Sequence, residues 1–112
     1  MSGISTHVLD LALGCPAAGV RVTLMRLESG EWSPVAASAT DRDGRCRELL
    51  RVDLVSPGTY RIVFETGPYL ALAGVAPLYP EVSIAFQVLN AGCSYHMPLL
   101  LSPNGYTTYR GS

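Results

Sequence analysis

Charge is scarce in this chain: eight basic and nine acidic side chains in 112 residues, with a formal net charge of −1. No basic run or patch is present, which argues against nucleic acid as a partner. Cysteine is sparse too. Cys15, Cys46 and Cys93 are odd in number and far apart, fitting neither a disulfide framework nor a zinc motif. Free thiols in a reducing compartment are the expectation. No apolar stretch approaches the ~20 residues that span a bilayer. The opening MSGISTHVLDL lacks the basic stretch and long apolar core of a secretory signal. These absences point to a cytoplasmic chain with no membrane or nucleic acid among its partners. Short catalytic signatures are missing as well: no GxSxG, no HExxH, no phosphate-binding glycine loop and no metal-ligand spacing. No metal and no cofactor are expected.

Apolar residues, by contrast, make up 48% of the chain. That is rich for a lone soluble monomer and suggests apolar surface buried against other copies. The length fits one domain, residues 1–112. Helical periodicity is nearly absent, and short alternating runs are cut by Gly, Pro, Asn and Asp, the pattern of an all-β sandwich or barrel. The runs are Ile4 to Leu11, Val20 to Leu27, Trp32 to Ala39, Cys46 to Leu50, Thr59 to Glu65, Val82 to Val88, Tyr95 to Leu101 and Tyr106 to Tyr109. Gly14-Cys15-Pro16 reads as a turn. Thr40 to Arg45 (TDRDGR) reads as another, with Gly44 at a position that needs positive φ. One segment, GPYLALAGVAP at 67–77, suits a single short helix.

Only two histidines exist, His7 and His96. His7 shares strand parity with Leu9 and Leu11, and His96 with Pro98 and Leu100. By period-2 alternation, Met97, Leu99 and Leu101 take the core face, so both histidines fall on an outer face. The first and penultimate strands are apolar at both parities and need a cover, expected from another subunit. Pro98 cannot donate to a ladder, so its nitrogen is expected at an edge or bulge. Taken singly, each histidine reads as structural, Arg45 as a solvated turn charge, and Tyr109-Arg110-Gly111-Ser112 as a frayed end.

Together these segments resemble the transthyretin-like family. The similarity is carried by Ser5-Thr6-His7-Val8-Leu9-Asp10, Pro16 to Val20, Thr40 to Arg45, Gly58 to Arg61 and Tyr79 to Val82. Its most specific part is Tyr95 to Pro103 followed by Gly105-Tyr106 and the closing Tyr109 to Ser112. That last tetrapeptide is similar to the 5-hydroxyisourate hydrolase branch; the hormone-binding branch lacks it, and lacks histidines at the places of His7 and His96. The resemblance spans essentially the whole chain. It implies two four-stranded sheets, a short helix and a homotetramer, a dimer of dimers whose central channel holds sites built from more than one subunit. It implies a catalytic set of His7, Arg45, His96 and Ser112, with Arg45, Tyr109 and Ser112 binding the substrate, 5-hydroxyisourate. Two departures stand out: Ser94 replaces a common histidine, and Asn104 replaces a residue that is often aromatic.

The chemistry implied is hydrolysis of a cyclic amide-like C–N bond. A histidine can take a proton from water near neutral pH. Arg45 can hold the carbonyl edge through paired donors and stabilise the oxyanion. The Ser112 carboxylate, with its hydroxyl, would orient a histidine or the substrate. Which histidine is the base stays open at this point. The competing readings are a non-catalytic carrier of a small aromatic ligand and a purely structural sandwich.

Overall fold

Tyr60, Ile62 and Phe64 alternate along one run with Thr59, Arg61, Val63 and Glu65, and all three are almost wholly buried. Burying a side chain of this size contributes roughly 1.5–3 kcal/mol, so alternation of this kind decides which face of each strand turns inward. In the computed structural model, which describes residues 3–112, nine strands and one α-helix follow from it. They are β1 (Ile4–Asp10), β2 (Cys15–Pro16), β3 (Arg21–Glu28), β4 (Glu31–Ala39), β5 (Arg45–Leu50), β6 (Gly58–Phe64), α1 (Thr66–Leu72), β7 (Val82–Val88), β8 (Tyr95–Ser102) and β9 (Gly105–Thr108). A 3-10 turn at Val52–Leu54 links β5 to β6.

The strands form a sandwich of two sheets. One has the order β4-β3-β6-β7, antiparallel throughout. In the other, β1 runs parallel to β8, and β9 pairs antiparallel with β8. On its other side β1 pairs with two short partners in turn: β5 along Ile4 to His7 and β2 along Leu9 and Asp10. The four strands expected in each sheet are present. The segment read as a turn at residues 14–16 adds the two-residue β2 as a fifth strand of the second sheet. β1 also stops one residue early, at Asp10, whose Oδ1 accepts from the N–H groups of Ala12 and Leu13 and folds the chain over. Leu11 therefore sits exposed in a turn rather than continuing the strand.

The helix lies where the sequence favours one. Thr66, Gly67 and Leu70 are its buried residues. The Tyr69 hydroxyl donates to Asp10 Oδ2 at 2.9 Å and ties the helix to the end of β1.

Parity divides the β1–β8 sheet cleanly. Ile4, Thr6, Val8 and Asp10 face the core, as do Tyr95, Met97, Leu99 and Leu101. Ser5, His7 and Leu9 share the opposite face with His96, Pro98 and Leu100, as alternation predicts. Thr6, a buried hydroxyl, is satisfied by donating to the Met97 carbonyl at 2.6 Å.

Pro98 departs from expectation in two ways. It lies in an interior strand, between β1 and β9, not at a sheet edge. Its carbonyl accepts from the Thr108 hydroxyl, where β9 ends, and the chain rejoins β8 only at an isolated bridge between Gly111 and His96. The nitrogen thus faces an interruption of the β8–β9 ladder, where no donor is required. Nor does Pro98 need another subunit to cover it. It is already buried, with Gly111 of its own chain against it, whereas Leu9 and Leu100 stay half-exposed.

Candidate functional site

Register decides what meets on the outer face. Across the antiparallel β1–β5 ladder His7 stands opposite Arg45. Across the parallel β1–β8 ladder Ser5 stands beside His96. His7 and His96 are therefore diagonal neighbours on adjacent strands, with the Arg45 side chain on the same face.

The turn before β5 is built to deliver Arg45. Asp41 Oδ1 accepts from the backbone N–H groups of Asp43 at 2.8 Å and Arg45 at 3.0 Å. Those bonds, that from Arg45 first, hold the Asp41 carboxyl below its ordinary pKa. Gly44 adopts φ +75°, and a Cβ there would run into the Val8 carbonyl oxygen of β1. Its own carbonyl accepts from the Val8 N–H at 2.7 Å. Gly44→Ala thus meets both a positive-φ cost of ~1–2 kcal/mol and a backbone clash. We expect a loss of stability above about 2 kcal/mol, read from the denaturant midpoint; an unchanged midpoint would mean that the turn relaxes freely.

His96 is held from two sides. Its Nδ1 lies 2.8 Å from Ser5 Oγ. Its carbonyl accepts from the Gly111 N–H at 2.7 Å. Gly111 lies so close over the ring that a Cβ would fall 2.5 Å from Cδ2. The preceding residue anchors this return: the Arg110 guanidinium stacks 4.3 Å over the Tyr95 ring and donates to the Ser94 carbonyl at 3.0 Å.

These elements border an open cleft of about 610 Å³, walled by Ser5, Arg45, Arg47, Glu48, His96 and Ser112 among others. The volume is in the range of small-molecule sites. The arginines differ in what they can do there. Arg47 is engaged by Asp43 at 3.2 Å and Asp41 at 3.9 Å. Among the described residues Arg45 forms no salt bridge, which leaves its guanidinium available to a ligand. Both histidines are pushed below their ordinary pKa, each by burial first and by the Arg45 charge second. Both shifts favour the uncharged imidazole beside a fixed cation.

Of the residues singled out from the sequence, Arg45, His96 and Ser112 wall the cleft, and His7 stands opposite Arg45 on the same face but is not among the wall residues. Tyr109 is exposed and stands outside the cleft wall. Ser5 and Arg47 were not singled out, although Ser5 has the parity of His7 and could have been placed on that face by alternation alone. Ser94, two residues before His96, also borders the cleft. Cys15, Cys46 and Cys93 are free, with Cys46 facing the core. No helix is long and apolar enough to cross a membrane among the described residues.

The fold defines a transthyretin-type β-sandwich with an open cleft on its outer face. Residues 4–111 match the HIUase/Transthyretin family, and the chain belongs to that family. It is 44% identical over 113 residues to the 5-hydroxyisourate hydrolase of Mus musculus, a match covering 99% of this chain and 96% of that protein. It is similar in structure to the 5-hydroxyisourate hydrolase of Klebsiella pneumoniae, with a TM-score of 0.85 and 36% identity over the whole of both chains. Transthyretin from Sparus aurata superposes with a TM-score of 0.95 at 27% identity, covering 99% of this chain and 97% of that one. The backbone is thus shared by a hydrolase and a transthyretin, so the fold by itself does not assign an activity.

Proposed function

We propose that the protein hydrolyses 5-hydroxyisourate to 2-oxo-4-hydroxy-4-carboxy-5-ureidoimidazoline in the breakdown of urate. The observation that carries this reading is the register that sets His7 opposite Arg45 and diagonal to His96 on the outer face, beside an open cleft walled by Arg45, His96 and Ser112. The higher identity to the mouse hydrolase than to the Sparus aurata transthyretin supports it.

Arg45 binds the carbonyl edge of the substrate through paired N–H donors and stabilises negative charge as it develops on oxygen. One imidazole takes a proton from water as the water oxygen bonds to the ring carbonyl carbon. The ring C–N bond then breaks, and the departing nitrogen receives the proton from the imidazolium just formed. Gly111 packs against His96 and brings Ser112 to the cleft, where Ser112 orients a ring or the substrate. Imidazole activates the water in this scheme without a metal, so a chelator should leave turnover unchanged. Hydrolysis in 18O-water should place one heavy oxygen in the new carboxylate of the product. A ring-opened product without the label would overturn the scheme.

The histidine shifts set a sign for pH dependence. A lowered pKa keeps the base unprotonated into more acid solution, so the acid limb of kcat/KM should fall below the ordinary histidine range of ~6.5. Arg45→Gln removes one of the two main causes and should move both histidine midpoints upward in an NMR titration. Midpoints unmoved by that change would show that Arg45 does not act on the rings. We also place the site in a homotetramer, a dimer of dimers, with the half-exposed Leu9 and Leu100 covered by other copies. Sedimentation at micromolar concentration should give a tetramer.

A further inference from the structure

We infer that Ser5 is a positioning residue that holds neutral His96 in the tautomer protonated at Nε2, which makes His96 a hydrogen-bond donor to the substrate and leaves the base role to His7. The inference rests on the hydrolytic reading above, because it divides labour between the two histidines of that site. It starts from register. The parallel β1–β8 ladder sets Ser5 directly beside His96 on the outer face, and the hydroxyl oxygen lies 2.8 Å from Nδ1.

A contact of this kind has two polarities, since a hydroxyl can donate or accept. Ser5 is 7% exposed, so its hydroxyl has little access to solvent. Among the described residues Nδ1 is the acceptor it reaches. If Nδ1 carried the proton and donated, the Ser5 O–H would be left nearly buried without an acceptor, at a cost of ~1–3 kcal/mol. If the hydroxyl donates, both groups are satisfied, Nδ1 is the unprotonated nitrogen and Nε2 bears the hydrogen. With Nδ1 held by β1 and Gly111 over Cδ2, Nε2 is the ring nitrogen left for a ligand.

The charges around His96 favour the neutral ring that this role needs. Arg45 on β5 and His7 on β1 both lower its affinity for a proton, after burial. Arg47 and Glu48 of β5 and the Ser112 carboxylate are the other ionisable groups on the cleft wall. A neutral imidazole that donates from Nε2 stabilises a carbonyl oxygen as it becomes an oxyanion, but it cannot also abstract a proton at that atom. Among the described residues His7 has no such serine partner. It takes the proton from water and returns it to the departing nitrogen, so the protons balance without any change in His96.

With two histidines in the chain, long-range 1H–15N spectra resolve the four ring nitrogens. Above the His96 midpoint the wild-type spectrum should show Nδ1 unprotonated and Nε2 protonated. Ser5→Ala should give a mixture of tautomers and lower kcat about tenfold, the scale of one hydrogen bond, with KM little changed. Ser5→Thr, which keeps the hydroxyl, should restore both the spectrum and most of kcat. A wild-type His96 protonated at Nδ1 would overturn the inference whatever the variants do, as would a Ser5→Ala spectrum identical to wild type. Full turnover in His96→Asn would instead overturn the placing of His96 in catalysis, while the tautomer measurement would still report on Ser5.

Discussion

His7→Asn and His96→Asn are each expected to lower turnover by ~10²-fold or more, the usual scale for losing a general base or an oxyanion donor. The two losses differ in kind. His7→Asn removes the group that takes the proton from water, so the acid limb of the rate profile should vanish with the rate. His96→Asn removes the donor from Nε2 while an amide can still meet the Ser5 hydroxyl, so the strand pairing should survive. Both side chains lie on the outer face rather than in the core, and neither substitution opens a cavity among Ile4, Val8, Leu99 and their neighbours. Melting temperatures close to wild type are therefore expected. Near-normal kcat in both variants would show that the histidines are structural.

Removing residues 109–112 should have an effect at least as large. An unattached tail would tolerate deletion. This one makes a bridge to β8 through Gly111, a stack of Arg110 on Tyr95, and a contact that leaves no room for a Cβ beside the His96 ring. Deletion frees the ring on that side, uncovers Pro98 and takes Ser112 from the cleft. Turnover should fall ~10²-fold or more, as for the loss of a positioned catalytic group. Gly111→Ala is the finer variant, since one methyl must displace either the ring or the tail. It should lower kcat with little change in melting temperature. Deletion with no loss of activity would place the catalytic machinery entirely on β1, β5 and β8.

Much of this was legible before any fold was known. Period-2 alternation put His7 and His96 on the outer face, and the turn chemistry of residues 40–45 marked Gly44 as a position of positive φ. Alternation is local, however, and says nothing of which strands become neighbours. The Ser5–His96 contact joins residues 91 apart in the chain. It exists because β1 and β8 pair in parallel with one register, which only packing of the two sheets decides. The same limit explains Pro98. A proline in an apolar run suggested an edge or bulge, and the cause instead was a tail that leaves β9 at Thr108 and returns at Gly111. β2 was hidden because two residues carry no periodicity, and its pairing depends on the turn that Asp10 closes.

The resemblance to a family contributed what alternation could not, namely that a turn arginine and the closing tetrapeptide belong with the histidines. Backbone similarity alone would have pointed elsewhere, since the superposition on the Sparus aurata transthyretin is closer than that on the Klebsiella pneumoniae hydrolase. Under the proposed function, the difference between a carrier and an enzyme would lie in a few side chains: Arg45, which has no salt bridge among the described residues, and the two histidines on its face.

The most direct test of hydrolysis follows the ultraviolet absorbance of 5-hydroxyisourate freshly generated by urate oxidase. Added protein, treated with chelator, should speed the decay in proportion to its concentration and turn over many equivalents. A decay no faster than in buffer alone, or an absorbance change that stops at one equivalent per site, would contradict hydrolysis, and the one-equivalent outcome would identify a binding protein.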